Sequence, residues 1–289
     1  MGIGDKMMAI GDAWRLHRND PFNRRVAIGD GRIIDQTDND LLFGLNFIAR
    51  AGHMVEREEV QWVISYPGNR PYIDYQAMRR ALVAQGQRVF KQKKLASTLG
   101  RYIWKMDYRP TPAPIKQTAE EEMITARWAK TPFVAIEPYI KDAAPRAKQW
   151  PVEYMAETVR RLRDQGVKVV QISAGGQDIM PGATMAATRS YREALAVLKA
   201  ASLYIGPEGG LHHGAAAMGT KAVVMFGGYI DPLVTGYDMH VNLTGGVEQS
   251  CGVREGHCPH CKEAMAKITP DLVMDHAVRL LRETVTKVP

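Results

Sequence analysis

Cysteine is scarce in this 289-residue chain: there are three, all between Cys251 and Cys261. So small and clustered a set excludes a disulfide framework for a chain of this length and points instead to a metal or a local reactive site. Long apolar runs are missing too. The longest nearly uncharged stretch, Leu41 to Ala49, falls far short of the ~20 residues of a membrane-spanning helix. The opening Met1-Gly2-Ile3-Gly4-Asp5 is not a secretory signal, so a cytoplasmic protein is expected. There are no internal repeats and no low-complexity tracts. With 45% hydrophobic and 24% charged residues, disordered and collagen-like classes are excluded, and there is apolar content for two domain cores.

The formal net charge of +7 is unevenly spread. Residues 1–135 hold 21 Lys and Arg against 15 Asp and Glu, whereas the remainder holds 17 against 16. Residues 79–116 concentrate ten cations (Arg79, Arg80, Arg88, Lys91, Lys93, Lys94, Arg101, Lys105, Arg109 and Lys116) around a single acid, Asp107. Phe90, Tyr102, Trp104 and Tyr108 are interleaved with them. Such a run is either a solvated face or a groove for a polyanion, in which cations neutralise phosphates and rings stack on bases or sugars. A peripheral membrane surface is a further reading of the same residues.

The second half alternates strand and helix. Strands are expected at Phe133–Ile136, Val167–Ile172, Leu203–Ile205 and Ala222–Phe226, with helices at 151–163, 190–200 and 211–218 between and after them. That order implies right-handed βαβ units and a parallel sheet. Thr269-Pro270-Asp271 caps a final helix through Glu283. The first half reads less regularly. A helix is expected from Gly4-Asp5 to about His17, strands at Val26–Ile28 and Val60–Ile64, and helices at 75–84 and 118–129. The boundary between the halves is placed at residues 130–132, giving domains 1–131 and 132–289 with a ligand crevice between them.

Three motifs carry chemistry. Gly206-Pro207-Glu208-Gly209-Gly210-Leu211-His212-His213 follows a strand and opens a helix, so free N–H groups at Gly209, Gly210 and Leu211 and the helix dipole favour an anion there. His212 and His213 are adjacent and cannot share a helical face, so one is expected to pack in the core. Cys258-Pro-His-Cys261 is a knuckle that Cys251 and either His257 or His260 would complete as a tetrahedral Cys₃His set, with zinc favoured and a bracing role. Asp5 stands at the start of the first helix, where an N-cap is the plainest reading.

The run Ile205 to Met218, with Val223-Val224-Met225-Phe226-Gly227 and Asp231-Pro232, resembles the donor half of glycosyltransferase family 9, the heptosyltransferase-like enzymes. Arg146-Ala147-Lys148-Gln149-Trp150-Pro151 resembles that family's basic loop before a helix, and Gly2-Ile3-Gly4-Asp5 its N-terminal Gly-Asp loop. The resemblance implies an α/β, GT-B architecture of two facing Rossmann-like domains with parallel sheets and a C-terminal helix. It further implies an inverting mechanism without a catalytic metal. Asp5 would be the general base; Arg146, Lys148, Gln177, Glu208, Gly209, Gly210, Leu211 and His213 would hold a nucleotide-sugar. The family also has a buried strand before the Gly-Asp loop, and this sequence opens on the loop itself, so the strand is expected to be absent, to be supplied differently or to lie upstream.

Acceptor contacts are expected from Arg70, Arg79, Arg80, Lys91, Lys93, Lys94, Arg101 and Trp104. The density of cations and rings favours DNA bearing a hydroxylated, flipped-out base. A lipopolysaccharide-core saccharide is the alternative acceptor, and a non-transferase GT-B protein, such as an epimerase or nucleic-acid-binding module, a further one.

Overall fold

The computed structural model describes residues 2–35, 39–50, 60–141, 144–254 and 258–285. The chain opens with α1 (Ile3–Asn19), β1 (Arg25–Gly29), β2 (Val60–Ile64), α2 (Tyr75–Ala84), α3 (Leu95–Leu99) and α4 (Ala119–Trp128). It continues through β3 (Phe133–Ile136), α5 (Val152–Asp164), β4 (Lys168–Ser173), β5 (Thr184–Ala187) and α6 (Tyr191–Ala200). The last third holds β6 (Leu203–Pro207), α7 (Gly210–Met218), β7 (Ala222–Met225), α8 (Pro232–Thr235), β8 (Val241–Leu243), α9 (Pro259–Lys267) and α10 (Pro270–Val285). The expected strands and helices are all present, with ends shifted by a residue or two. The first helix starts earlier than expected: Asp5 is already inside it, and the Gly-Asp segment is a helix N-terminus rather than a loop.

Six strands form one parallel sheet in the order β5-β4-β3-β6-β7-β8, and β1 and β2 form a two-stranded parallel sheet. The chain runs outward from β3 to β5, then returns to place β6 on the other side of β3. Such a reversal opens a crevice between the two neighbouring strands at their carboxyl ends. Strand side chains alternate between faces. In β3, Phe133 and Ala135 join one core while Val134 and Ile136 join another. The second core fills the space between the sheet and α5, α9 and α10 through Trp150, Val159, Leu162, Met265 and Val273. The first runs without a break from α1 and the N-terminal strands to α6 and α7. The two main cores are thus divided by the faces of the large sheet, whereas the sequence pointed to one core per half.

Buried polar contacts fasten the halves further. Arg192 of α6 donates to both carboxylate oxygens of Glu121 at 2.5 and 2.6 Å, to Lys116 O and to Asp40 O. Glu121 also caps α4 by accepting from Thr118 N, so a single carboxylate ends one helix and anchors another element. Trp150, expected only as part of a basic loop, is fully buried and donates to Ile268 O at 2.8 Å.

Gly11 lies mid-helix in α1, where the extended segment around Pro112 crosses it. A Cβ there would sit 1.8 Å from Thr111 O. Alanine normally favours a helix interior by up to ~1 kcal/mol over glycine, but overpacking against backbone costs ~1–3 kcal/mol. Gly11→Ala should therefore lower the urea midpoint; an unchanged or raised midpoint would contradict this packing of α1.

Candidate active site

A cleft of about 680 Å³ opens at the carboxyl ends of β3 and β6. Two helix N-termini enter it. α7 begins at Gly210 directly after β6, without a side-chain cap, so its first N–H groups point into the space with the positive end of the helix dipole. α1 begins at Ile3 and packs its first turn against that of α7. A Cβ on Gly4 would be 2.7 Å from His213 Cδ2, and one on Gly210 would be 2.4 Å from Ile3 Cγ2.

Asp5 is the third residue of α1 and is buried. Rather than capping as the first residue, its Oδ2 reaches back to Gly2 N at 2.9 Å and lies 3.2 Å from Arg70 Nε. Its Oδ1 accepts a 2.5 Å hydrogen bond from the Tyr72 hydroxyl. Burial, with the nearby Asp5 charge, raises Tyr72 well above its ordinary pKa, so that hydroxyl remains a donor. Arg70 and Tyr72 both line the cleft.

Across the cleft, Glu208 follows β6 and Lys148 closes a short turn before α5. Lys148 Nζ is hydrogen-bonded to Glu208 Oε2, and His213 Nε2 stands 3.7 Å from Oε1. Burial opposes ionisation of Glu208, yet Lys148 and His213 outweigh it and hold the carboxyl below the usual carboxylate range. His213 Nδ1 lies 2.9 Å from the Tyr237 hydroxyl. The adjacent histidines have separate places: His213 lines the cleft, while His212 is wholly buried among Phe226, Tyr237 and His240. Burial lowers the His212 pKa, which keeps it neutral.

Of the expected donor residues, Lys148, Glu208, Gly209, Gly210, Leu211 and His213 line this one cleft with Asp5. Arg146 is exposed, and neither it nor Gln177 lines the cleft. Of the expected acceptor residues, only Arg70 and Trp104 line it; Arg79, Arg80, Lys91, Lys93, Lys94 and Arg101 lie elsewhere. The four rings interleaved with the cations do not share one face: Tyr102 is half-buried at the cleft, and Phe90 is exposed away from it. Trp104 is 7% exposed and donates to Tyr229 O, and Tyr108 is equally buried and donates to Asp12 Oδ2 at 2.9 Å, so both rings are core groups.

The sequence reading missed Glu137, Lys141, Tyr72, Tyr191, Tyr229 and Arg254, all at the cleft. Glu137 follows β3 as Glu208 follows β6. Burial pushes its carboxyl up to about 7 against a 2.7 Å hydrogen bond from the Tyr204 hydroxyl, with Glu208 adding to the rise. The place of Glu137 just after a buried strand that borders the reversal was the available signal.

The cysteine cluster closes as the spacing suggests. Ligand atoms of Cys251, Cys258, His260 and Cys261 all lie within 4.8 Å of one another, with Cys251 Sγ 3.1 Å from Cys261 Sγ and 3.7 Å from Cys258 Sγ. Thiolates ~2.3 Å from a tetrahedral metal have S···S edges of about 3.8 Å, so the set fits a closed structural site. His257 falls outside the described residues. The hydrogen bond between Cys251 and Cys261 pushes the Cys251 thiol down and the Cys261 thiol up, so in the absence of a cation the pair shares one proton. The segment also bridges the halves: Cys251 N donates to Gly228 O, Gly252 N to Tyr229 O, and Tyr102 N to Gly252 O.

No helix among the described residues is long and apolar enough to cross a membrane. A search of curated protein sequences finds no match. Among solved structures, a glycosyl transferase family 9 protein from Veillonella parvula DSM 2008 is similar at 15% identity and a TM-score of 0.61, covering 98% of this chain and 95% of that one. The E. coli ADP-heptose lps heptosyltransferase II is similar at 15% identity and a TM-score of 0.57, over 98% of this chain and 96% of its own. The iron-containing dodecameric glycosyltransferase TibC of enterotoxigenic E. coli H10407 matches at 17% identity and a TM-score of 0.57, over 98% and 74%. The fold is thus the GT-B arrangement of these glycosyltransferases. The profile of glycosyltransferase family 9 (heptosyltransferase) matches residues 68–244, more than half of the sequence; the chain belongs to that family and is a glycosyltransferase.

Proposed function

We propose that the chain is an inverting transferase that moves a sugar, of heptose type, from a nucleoside diphosphate to a hydroxyl of an anionic, lipopolysaccharide-core-like saccharide. Residues 1–131 hold the acceptor and residues 132–289 the donor. The observation that carries this reading is the opposition, in one cleft, of the buried Asp5 carboxylate and the Lys148–Glu208 pair. On this reading the donor diphosphate rests on the N–H groups of Gly209, Gly210 and Leu211 at the α7 N-terminus, where the dipole favours anions. Lys148 stabilises the charge that develops on the leaving diphosphate, and Glu208 positions Lys148 for that task. Asp5 takes the proton of the acceptor hydroxyl as its oxygen attacks the anomeric carbon from the face opposite the diphosphate. Gly2 N and Arg70 hold Oδ2 and the Tyr72 hydroxyl holds Oδ1, which fixes the carboxylate at the edge of the cleft.

The acceptor assignment follows from the cleft rather than the charge run. Arg70 lines the cleft from the acceptor half, with Lys141 and Arg254 facing it from the other half, and so few cations suit the few phosphates of a core saccharide, while Trp104 and Tyr108 are core groups. ADP-heptose is the donor named for the E. coli relative, and it is the donor to test here.

With ADP-heptose and a heptose-deficient lipopolysaccharide core, a heptose-sized mass gain on the saccharide is expected. Asp5→Asn should cut kcat about 10²–10⁴-fold and leave donor affinity in place. Full turnover in Asp5→Asn would remove it as the base, and a gain only on hydroxymethylated duplex DNA would overturn the acceptor assignment.

We also propose that Cys251, Cys258, Cys261 and His260 hold a structural zinc that braces the junction of the halves. Its support is the closed Cys₃His geometry and the backbone bonds that join the halves beside it, from Tyr102 N to Gly252 O and from Arg254 N to Gly100 O. Metal analysis of the purified protein should give one zinc per chain, and a chelator should lower the thermal midpoint. Iron would correct the identity, and metal-free protein of unchanged stability would dismiss the site.

A further inference from the structure

The basic run that does not reach the cleft still has a definite structure. Between Asp74 and Asp107 the sequence has no carboxylate. Arg80, Arg88, Lys91, Lys93 and Lys94 are exposed there. Two apolar side chains stand out among them: Phe90 is 86% exposed and Val83 is 62% exposed. On α2 the residues Met78 and Leu82 face the core, so Arg79, Arg80 and Val83 share the outward side at helical spacing. Arg79 Nη1 donates to Val89 O at 3.1 Å, which seats Phe90 beside that side of the helix. Gln92 Nε2 in turn donates to Asn69 Oδ1 at 2.9 Å and to Gly68 O. The lysine-bearing turn is therefore tied to the residue next to Arg70, which lines the cleft beside Asp5.

We propose that this surface docks the protein on an anionic bilayer, with Lys91, Lys93, Lys94 and Arg88 at the headgroups and Phe90 and Val83 entering the interface. The reason for docking, access to an acceptor carried on a lipid, rests on the saccharide reading above; the docking itself does not. Neither signal suffices alone. Cations near an anionic bilayer add up but are screened by salt, and one exposed aromatic gives weak, reversible insertion; together they give stable attachment. A duplex would use the cations, but it takes up a phenyl ring and an isopropyl group only at the cost of unstacking a base step, whereas a bilayer interface takes them up directly. Of the other three rings in the run, Trp104 and Tyr108 are core groups and Tyr102 lies at the cleft, so none of them joins Phe90 in the stacking surface that single strands require.

The test is flotation of the full chain with phosphatidylcholine vesicles with and without phosphatidylglycerol. The wild type should float with the phosphatidylglycerol vesicles at low salt and remain soluble with phosphatidylcholine alone. Each cation at such a surface strengthens adsorption about fivefold. Lys91→Gln, Lys93→Gln and Lys94→Gln combined should thus weaken it about a hundredfold, and Phe90→Ala about tenfold. Unchanged thermal midpoints would show both variants folded, as their exposure predicts. The proposal is overturned if the wild type stays soluble with anionic vesicles, or if the triple variant floats equally well. It is also overturned if Phe90→Ala floats as the wild type does and duplex DNA strips both from the vesicles, which is the behaviour of a plain polyanion patch. Transfer to a soluble, delipidated core saccharide separates the two ideas. It should be unaltered in the variants, and its absence in the wild type would remove the saccharide reading while leaving the docking result to stand.

Discussion

The arrangement depends on how closely two helices can meet end to end. Gly4 in α1 and Gly210 in α7 have no Cβ, and either Cβ would collide with the other helix, at His213 or Ile3. With both glycines in place, the first turns of the two helices abut and their positive ends share one cleft. This approach brings Asp5, near the beginning of the chain, to the same space as Glu208, some two hundred residues later. It also explains why one apolar core crosses the boundary between the halves: α1 packs on α7 and thereby on the large sheet.

The electrostatics of the cleft follow from that placement. Two helix N-termini, Lys148 and Arg70 supply positive potential, while Asp5, Glu137 and Glu208 are held close by. The carboxyls have different surroundings: Glu208 is kept ionised by Lys148 and His213, and Glu137, bonded to the Tyr204 hydroxyl, is pushed up to about 7 by burial, which outweighs that bond and the nearby Lys141. Groups of the same type are thus sorted by their neighbours, as the proposed pairing of an anion-binding wall with a base requires.

Most of the large sheet was legible in the sequence, because its strands are short apolar runs buried on both faces and its helices open at Pro151, Ser190, Gly209 and Thr269, residues that punctuate a chain. What escaped has weak local signals. β5, Thr-Met-Ala-Ala, has no apolar period, β8 is three residues long, and α9 sits in the Cys-His segment, where ligand spacing drew attention away from helix formation. The site divided similarly. Asp5, Lys148, Glu208 and His213 stand in recognisable local motifs. Tyr72 and Glu137 do not, since their roles arise from partners 67 residues distant in each case. The cations of 79–116 were read as one groove because composition cannot distinguish a ring in the core from a ring on the surface. Trp104 and Tyr108 became core groups by finding buried hydrogen-bond acceptors, at Tyr229 O and Asp12.

The most direct measurement is a crystal structure with ADP-heptose, or a non-hydrolysable analogue of it, in the cleft. The account predicts the diphosphate within hydrogen-bond distance of the Gly210 and Leu211 N–H groups and of Lys148, with the anomeric carbon turned toward Asp5. A nucleotide bound away from the α7 N-terminus, or a sugar whose anomeric carbon faces away from Asp5, would contradict it.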